Sequence, residues 1–379
     1  MKVSLAAVAA TLLAVAGCGS SSSSTSGNTS PIQLGMIQPI TSQSAIVAET
    51  GINGAKLAVN EINSSGGVNG RKINLTIEDD HGDATTGVNV FETLTTQVKA
   101  DAVMGPNFSA IALATLPKVN QAKIPWLPAA LAPQLTQQGS PWVFRIRPTT
   151  VAQAVGLADY VGKDLKPASF AVISSTDDYG TSGHDAIVKQ LATYNMKPAI
   201  EQTFVVNSTD FTAQAKRIVD ANVAVCVWFG FGESAAAKFV SQVRSLGFKG
   251  QLVGDNDYND QTVINLVPKE LEGAIGVTNF LPNNDVPRVK KFDDAYNKAY
   301  GKDPDGYAAA FYDAVNLLGQ CWKQVGTDKA KVRECLHGIK NFQGVSITFN
   351  FASSNGDPGT SEVITQYSNG KLKVLKVTN

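Results

Sequence analysis

Residues 31–79 read PIQLGMIQPITSQSAIVAETGINGAKLAVNEINSSGGVNGRKINLTIED. A short apolar run, Ile32 to Pro39, precedes a helical stretch from Ser44 to Asn63, and a second short run follows from Lys72 to Asp79. In the helical stretch Ile46, Ile52, Leu57, Val59 and Ile62 fall near one face, the period of a helix laid against a core. Gly66-Gly67 ends it, because glycine tolerates the left-handed backbone that closes a helix. Strand, helix and strand in about fifty residues make a parallel crossover unit.

The same alternation runs outward from this stretch. A helix is expected over Thr85 to Val98, a strand over Ala102 to Met104, a helix over Ser109 to Asn120 and a strand over Pro125 to Leu127. After the segment Trp142 to Arg147 a second series begins, with strands near Phe170 to Ser174, Pro198 to Phe204, Val223 to Phe229 and Gln251 to Gly254. Helices starting near Ala152, Thr181, Phe211 and Glu233 separate them. The chain turns helical again from Pro287 to Tyr300 and from Gly306 to Gln324, then ends with strands near Val345 to Phe351, Ser361 to Tyr367 and Lys371 to Val377. The expected fold is α/β, with two doubly wound Rossmann-like lobes joined by several crossing strands. Residues 31–147 with 279–350 are expected to form one lobe, and 148–278 with 351–379 the other.

Upstream, Lys2 precedes an apolar run from Leu5 to Gly17 and the junction Val15-Ala16-Gly17-Cys18. The run is too short to span a bilayer, so residues 1–17 read as a signal peptide. The junction resembles the bacterial lipobox, which makes Cys18 the lipidation site and places the protein at the membrane's outer face on a lipid anchor. Gly19 to Ser30, rich in Ser, Gly, Thr and Asn, completes a flexible tether over 18–30. The remaining length suits two domains. Equal numbers of basic and acidic residues, 32 of each, leave no net field to attract nucleic acid or an anionic membrane.

Cys226, inside an apolar run, reads as a buried, inert thiol. Cys321 and Cys335 lie near the facing ends of two expected helices in an oxidising compartment and are a candidate disulfide, though spacing alone does not prove it.

Gly230-Phe231-Gly232-Glu233-Ser234-Ala235 follows a strand and opens a helix, with Asp255 closing the next strand: on paper a dinucleotide fingerprint. An extracytoplasmic address and the charge of Glu233 where a diphosphate must sit argue against it. No G-x-S-x-G elbow, Walker loop or H-E-x-x-H occurs. His81, His184 and His337 stand far apart and without metal-ligand spacing, so no metal, cofactor or catalytic residue is expected. Asp79, Asp80 and Asp83 suit capping better than acid–base work, with Asp83 an N-cap.

The candidate site consists of strand-to-helix mouths. Asn107-Phe108-Ser109 opens a helix, so Ser109 either caps it or offers its hydroxyl and the free amides of the first turn to a carboxylate. Ala130 and Leu131 follow the next strand, and Tyr179, Phe231 and Asp255-Asn256-Asp257 follow strands of the second lobe. Ligands of open α/β sheets bind outside such strand ends.

Over nearly all the chain beyond the tether the sequence resembles the leucine/isoleucine/valine-binding proteins, the type I periplasmic receptors of branched-chain amino-acid ABC importers. The likeness is carried by Asn53-Gly54-Ala55, Asn60-Glu61-Ile62-Asn63, Gly66-Gly67-Val68-Asn69-Gly70, Asp79-Asp80, Pro133-Gln134-Leu135-Thr136, Asp178-Tyr179-Gly180, Asp210-Phe211 and Arg244-Ser245-Leu246-Gly247. It implies a monomer whose lobes close on a small ligand and deliver it to an ABC permease, with no enzymatic turnover.

By the same resemblance Ser109 matches the serine that holds the ligand carboxylate, with Asn107 and Phe108 beside it, and Tyr179 matches a cleft tyrosine. Ala130 and Leu131 fall where amino-acid receptors place a threonine. Asn256 falls where an acidic residue pairs with the ligand ammonium. Those departures leave two readings open: Asp255 or Asp257 replaces the missing acid, or Phe108, Phe231, Tyr179 and Tyr258 line a pocket for an aromatic or apolar carboxylate. A short amide is a further possibility, as is a sensor rather than a transport role.

Overall fold

The computed structural model describes Met1 and residues 30–283, 286–359 and 362–378. The expected signal peptide and tether, with Cys18, otherwise lie outside the described residues. The first lobe is built on β1 (Ile32–Gln38), β2 (Ile73–Asp79), β3 (Ala102–Met104) and β4 (Trp126–Leu127), all parallel in the order β2-β1-β3-β4. Between them run α1 (Ala45–Ser64), α2 (Ala84–Thr96) and α3 (Ser109–Ala122). Asp83 caps α2 as expected, its Oδ1 accepting the Thr86 N–H at 2.8 Å.

The short α4 (Gln134–Gln137) follows, and the chain then passes to the second lobe. There it forms α5 (Thr150–Tyr160), β5 (Phe170–Ser175), α6 (Asp178–Ala192), β6 (Ile200–Phe204), α7 (Thr212–Asp220), β7 (Val225–Phe229), α8 (Glu233–Ser245), β8 (Gln251–Gly254), α9 (Gln261–Leu266) and β9 (Ile275–Thr278). It returns to the first lobe for α10 (Pro287–Tyr300), α11 (Gly306–Val325), α12 (Lys329–His337) and the two-residue strands β10 (Phe342–Gln343) and β11 (Thr348–Phe349). It crosses once more for β12 (Glu362–Ser368) and β13 (Lys371–Thr378). The second sheet runs β13-β12-β9-β8-β7-β5-β6, parallel from β9 to β6 and antiparallel at β12 and β13.

Burial follows the strand period. In β7, Val225, Val227 and Phe229 enter the core on one face of the sheet, while Cys226 and Trp228 enter the core on the other. Each such side chain, fully buried, contributes about 1.5 to 3 kcal/mol. Cys226 is indeed buried, which pushes its thiol up to about 12. In the first lobe α1 lies against α11 at a distance only glycine permits, since a Cβ on Gly54 would stand 2.0 Å from the Ala308 carbonyl oxygen. Cys321 of α11 and Cys335 of α12 are joined, S–S 2.07 Å. Among the described residues no helix is long and apolar enough to cross a membrane.

Three local readings change. The strand expected over Val345 to Phe351 shrinks to β11, because Asp313 takes the Val345 and Ser346 N–H groups at 2.8 Å each, leaving them no ladder partner. Residues 351–359, expected with the second lobe, pack on the first: Phe351 lies in the core with Phe144, and Asp357 pairs with Arg145 at 2.8 Å. The strand β9 was not anticipated, its Ala-Ile-Gly-Val-Thr run being short and poor in bulk.

Candidate functional site

Each sheet has one place where strand order reverses and the two adjoining loops leave in opposite directions, which opens a crevice. In the first lobe it lies between β1 and β3. There Gln38, at the end of β1, and Asn107, after β3, exchange two side-chain hydrogen bonds of 3.0 and 3.3 Å, both residues buried. In the second lobe it lies between β5 and β7, whose ends carry Tyr179 and the loop Gly230-Phe231-Gly232-Glu233. The two crevices face each other across a cavity of about 410 Å³, counting the open solvent at its edge, lined by Asn107, Ser109, Leu131, Arg147 and Tyr307 from the first lobe's side. Tyr179, Gly230, Phe231, Glu233, Asn256 and Asp257 line it from the second.

Ser109 is the first residue of α3, and the capping position belongs to Phe108, which makes no side-chain cap bond. The serine therefore does not cap its helix. Its Oγ accepts the Ala132 N–H at 3.1 Å, which leaves the hydroxyl proton to donate into the cavity. The neighbouring loop is held by a buried arginine: Arg145 donates to the Ala130 carbonyl at 2.8 Å and to Asp357 at 2.8 Å. This turns Ala130 into the core and presents Leu131 to the cavity. Phe108 does not line the cavity either. Its ring meets Phe231 of the other lobe edge-on, with centroids 4.4 Å apart, and so bridges the two lobes.

Asp255 sits beneath the cavity. It accepts the Tyr179 O–H at 3.1 Å, the Gly230 N–H at 2.9 Å and the Asp257 N–H at 3.1 Å, so it organises the second lobe's loops and does not line the cavity. Burial, partly offset by those bonds, pushes its carboxyl up to about 7. Tyr258 lies in the core behind, away from the cavity. Asn256 and Asp257 do reach it, with Asn256 Oδ1 3.1 Å from the Thr278 hydroxyl.

Four lining residues escaped the reading of the sequence as ligand groups: Arg147, Gly230, Glu233 and Tyr307. Arg147 is fully buried with its guanidinium 4.2 Å from the centre of the Tyr307 ring, and among the described residues its Nε has no hydrogen-bond partner. Two arginines in the apolar run Trp142 to Arg147 were the available signal. Glu233 opens α8 behind Gly232, whose φ of +112° only glycine holds without strain. The dinucleotide-like spacing thus answers a backbone need and leads to a carboxylate. Glu233 is 8% exposed, and among the described residues no other group's hydrogen bond reaches its carboxylate. Burial first, then the charges of Asp260, Asp305 and Asp255, push it up to about 8. Burial and then Asp255, Glu233 and Asp260 raise Asp257 well above the usual range.

Two wound lobes that meet over a charged cleft define a ligand-trapping receptor of the two-lobed class. The chain belongs to the periplasmic binding protein family, whose sequence profile matches residues 31–371. This makes it a binding protein and not an enzyme, and implies an extracytoplasmic address. The Leu/Ile/Val-binding protein homolog 1 of Brucella suis is 27% identical over 86% of this chain and 87% of its own. A branched-chain amino acid transporter substrate binding protein from Streptococcus pneumoniae, solved with isoleucine, superposes with a TM-score of 0.86 at 24% identity, over 92% of this chain and 99% of the other. A solute binding protein of an ABC transporter from R. palustris, solved with benzoate, does so with a TM-score of 0.85 at 20% identity, over 92% and 96%.

Proposed function

We propose that the protein is the lipid-anchored receptor of an ABC importer and that its solute is an amino acid, trapped between the lobes and handed to a permease. One observation carries the choice of solute: two carboxylates, Glu233 and Asp257, line the cavity together with Ser109 and Arg147. In this reading the ligand carboxylate takes the Ser109 O–H and the first amides of α3, with Arg147 beside it, and the ammonium lies against Glu233 and Asp257. Charge-assisted bonds of this kind contribute about 1.5 to 3 kcal/mol each. Asn256, at the position where relatives use an acid, is then replaced by its neighbours in space. The lobes, 31–147 with 279–359 and 148–278 with 362–378, close about the three crossings between them.

A second reading, an aromatic carboxylate, draws on Phe231 and Tyr179 in the cavity wall and on the benzoate-bound R. palustris protein. Its weakness is charge. A benzoate brings no cation to two acids.

The test is a thermal-shift screen of the purified full chain against amino acids, aromatic acids and short amides. A ligand at 100 times its dissociation constant adds about 2.7 kcal/mol of stability. Stabilisation by amino acids is expected; stabilisation by aromatic acids alone sinks the amino-acid reading. For the anchor, Cys18→Ser is expected to release the protein from the membrane fraction, and retention there removes the lipobox assignment.

A further inference from the structure

The loop Ala130-Leu131-Ala132 is held by a different neighbour at each of its residues. The Ala130 carbonyl accepts from Arg145 Nη1 at 2.8 Å, and the Ala130 side chain lies in the first lobe's core. The Leu131 carbonyl accepts the N–H of Thr150, the first residue of α5, at 2.9 Å, while the Leu131 side chain packs into the second lobe's core with Leu157 and Tyr179. The Ala132 N–H donates to Ser109 Oγ at 3.1 Å. The orientation of the ligand serine therefore depends on where this loop stands.

Arg145 fixes the loop with all three nitrogens of its guanidinium. Nη1 takes the Ala130 carbonyl, Nε donates to Asp357 Oδ1 at 2.8 Å, and Nη2 donates to Thr136 Oγ1 at 3.1 Å. The backbone joins in, for the Arg145 N–H donates to the Gly356 carbonyl at 2.8 Å. A Cβ on Gly356 would stand 2.0 Å from the Val143 carbonyl oxygen, so only glycine lets the 354–359 segment lie this close. The Arg145 side chain is fully buried and that of Asp357 is 35% exposed, and neither is a wall of the cavity. An apolar side chain would fill the place of Arg145 without desolvating a charge. What the guanidinium adds is direction: its planar fork holds three acceptors at set angles, which the single point of charge on a lysine cannot do.

We propose that Arg145, with Asp357 as its counter-charge, is a positioning residue for the bound solute. It sets the 130–132 loop and, through the Ala132 N–H, turns the Ser109 hydroxyl so that its proton points at the ligand carboxylate. This rests on the reading of Ser109 as the carboxylate's partner. A hydroxyl rotates freely until one of its acceptor directions is taken, and a fixed amide on that side leaves the proton the cavity side. A donor aimed before the solute arrives needs no ordering when it binds. Both anchors also stand at the joint between the lobes, Arg145 two residues before the first crossing and Asp357 just before the third, so the carboxylate site is tied to the segments about which the lobes close.

The experiment is a double-mutant cycle read by calorimetry. The full chain, Arg145→Lys, Ser109→Ala and the pair are each titrated with L-leucine, L-alanine, L-glutamate, L-lysine and benzoate. All five carry a carboxylate, so the cycle is closed with whichever binds the parent most tightly. Arg145→Lys keeps the charge and loses the fork, and is expected to weaken that probe about tenfold. In the Ser109→Ala background the same change is expected to cost less than about twofold, because the group it positions is gone. Equal weakening in both backgrounds means that Arg145 supports the fold at large and overturns the proposal, as does parent-like affinity in Arg145→Lys. Where Arg145→Lys melts below the assay temperature, Asp357→Asn, at a partly exposed position, carries the same cycle with the same two outcomes. Binding of benzoate and of no amino acid overturns the amino-acid reading and leaves the cycle to decide on Arg145. No binding of any of the five overturns both.

Discussion

The wall that the first lobe lends to the cleft and the wall that the second lends differ in chemistry. The first presents hydroxyl and amide donors at the start of α3, together with Arg147 and Tyr307. The second presents Glu233 and Asp257 on loops tied down by Asp255. Both walls arise the same way, from loops leaving the reversal point of a parallel sheet, and only the residues set on those loops distinguish them. Opposite charges on opposite lobes mean that a ligand carrying both signs completes its contacts only when the lobes are shut, so binding and closure are one event.

Breaking the acidic wall should have the largest effect. Glu233→Gln is expected to cost about 2 to 5 kcal/mol of affinity for an amino acid, because it strips one partner from a buried charge pair. Calorimetry measures it, and the ligand-free variant should melt no lower than the parent because a crowded carboxylate has gone. Breaking the donor wall should cost less: Ser109→Ala is expected to lose about 1 to 3 kcal/mol by calorimetry, a single hydrogen bond to a charged group. An equal loss from the two variants would erase the contrast between the walls.

Proton linkage sharpens the comparison. Carboxyls raised to about 8 for Glu233, 7 for Asp255 and 6 for Asp260 bind protons more tightly in the folded chain than in the unfolded one. Their contribution therefore favours the ligand-free fold at low pH and is lost as pH rises from about 4 toward 8. An ammonium against Glu233 and Asp257 replaces their protons, so ligand affinity should rise with pH between 6 and 8, by up to about tenfold per unit for each proton expelled. A flat profile in titrations at pH 6, 7 and 8 would place the ammonium elsewhere. The smallest effect belongs to the ring contact that bridges the lobes. Phe231→Ala removes the edge-on contact with Phe108 and should cost about 0.5 to 1.5 kcal/mol, read as faster ligand release in stopped-flow.

The alternation of strands and helices was legible along the chain, because period-two and period-3.6 patterns are local and each of these elements buries one face or both. The positions of Ser109, Leu131, Tyr179, Phe231, Asn256 and Asp257 at strand ends were legible for the same reason. The inward turn of Asp255, the pairing of Phe108 with Phe231 and the burial of Tyr258 were not, since each depends on which neighbours a loop meets. Arg147 and Tyr307 stand 160 positions apart in sequence and stack only because α11 returns to the first lobe after the whole second lobe has been built.

By itself the sequence determined the elements, the two sheets and the strand ends where a ligand belongs, all consequences of local periodicity and glycine placement. Which strands are neighbours, where their order reverses and which acids face one another across the cleft were decided only by tertiary structure. Those depend on contacts between residues far apart in the chain, and no local pattern encodes them.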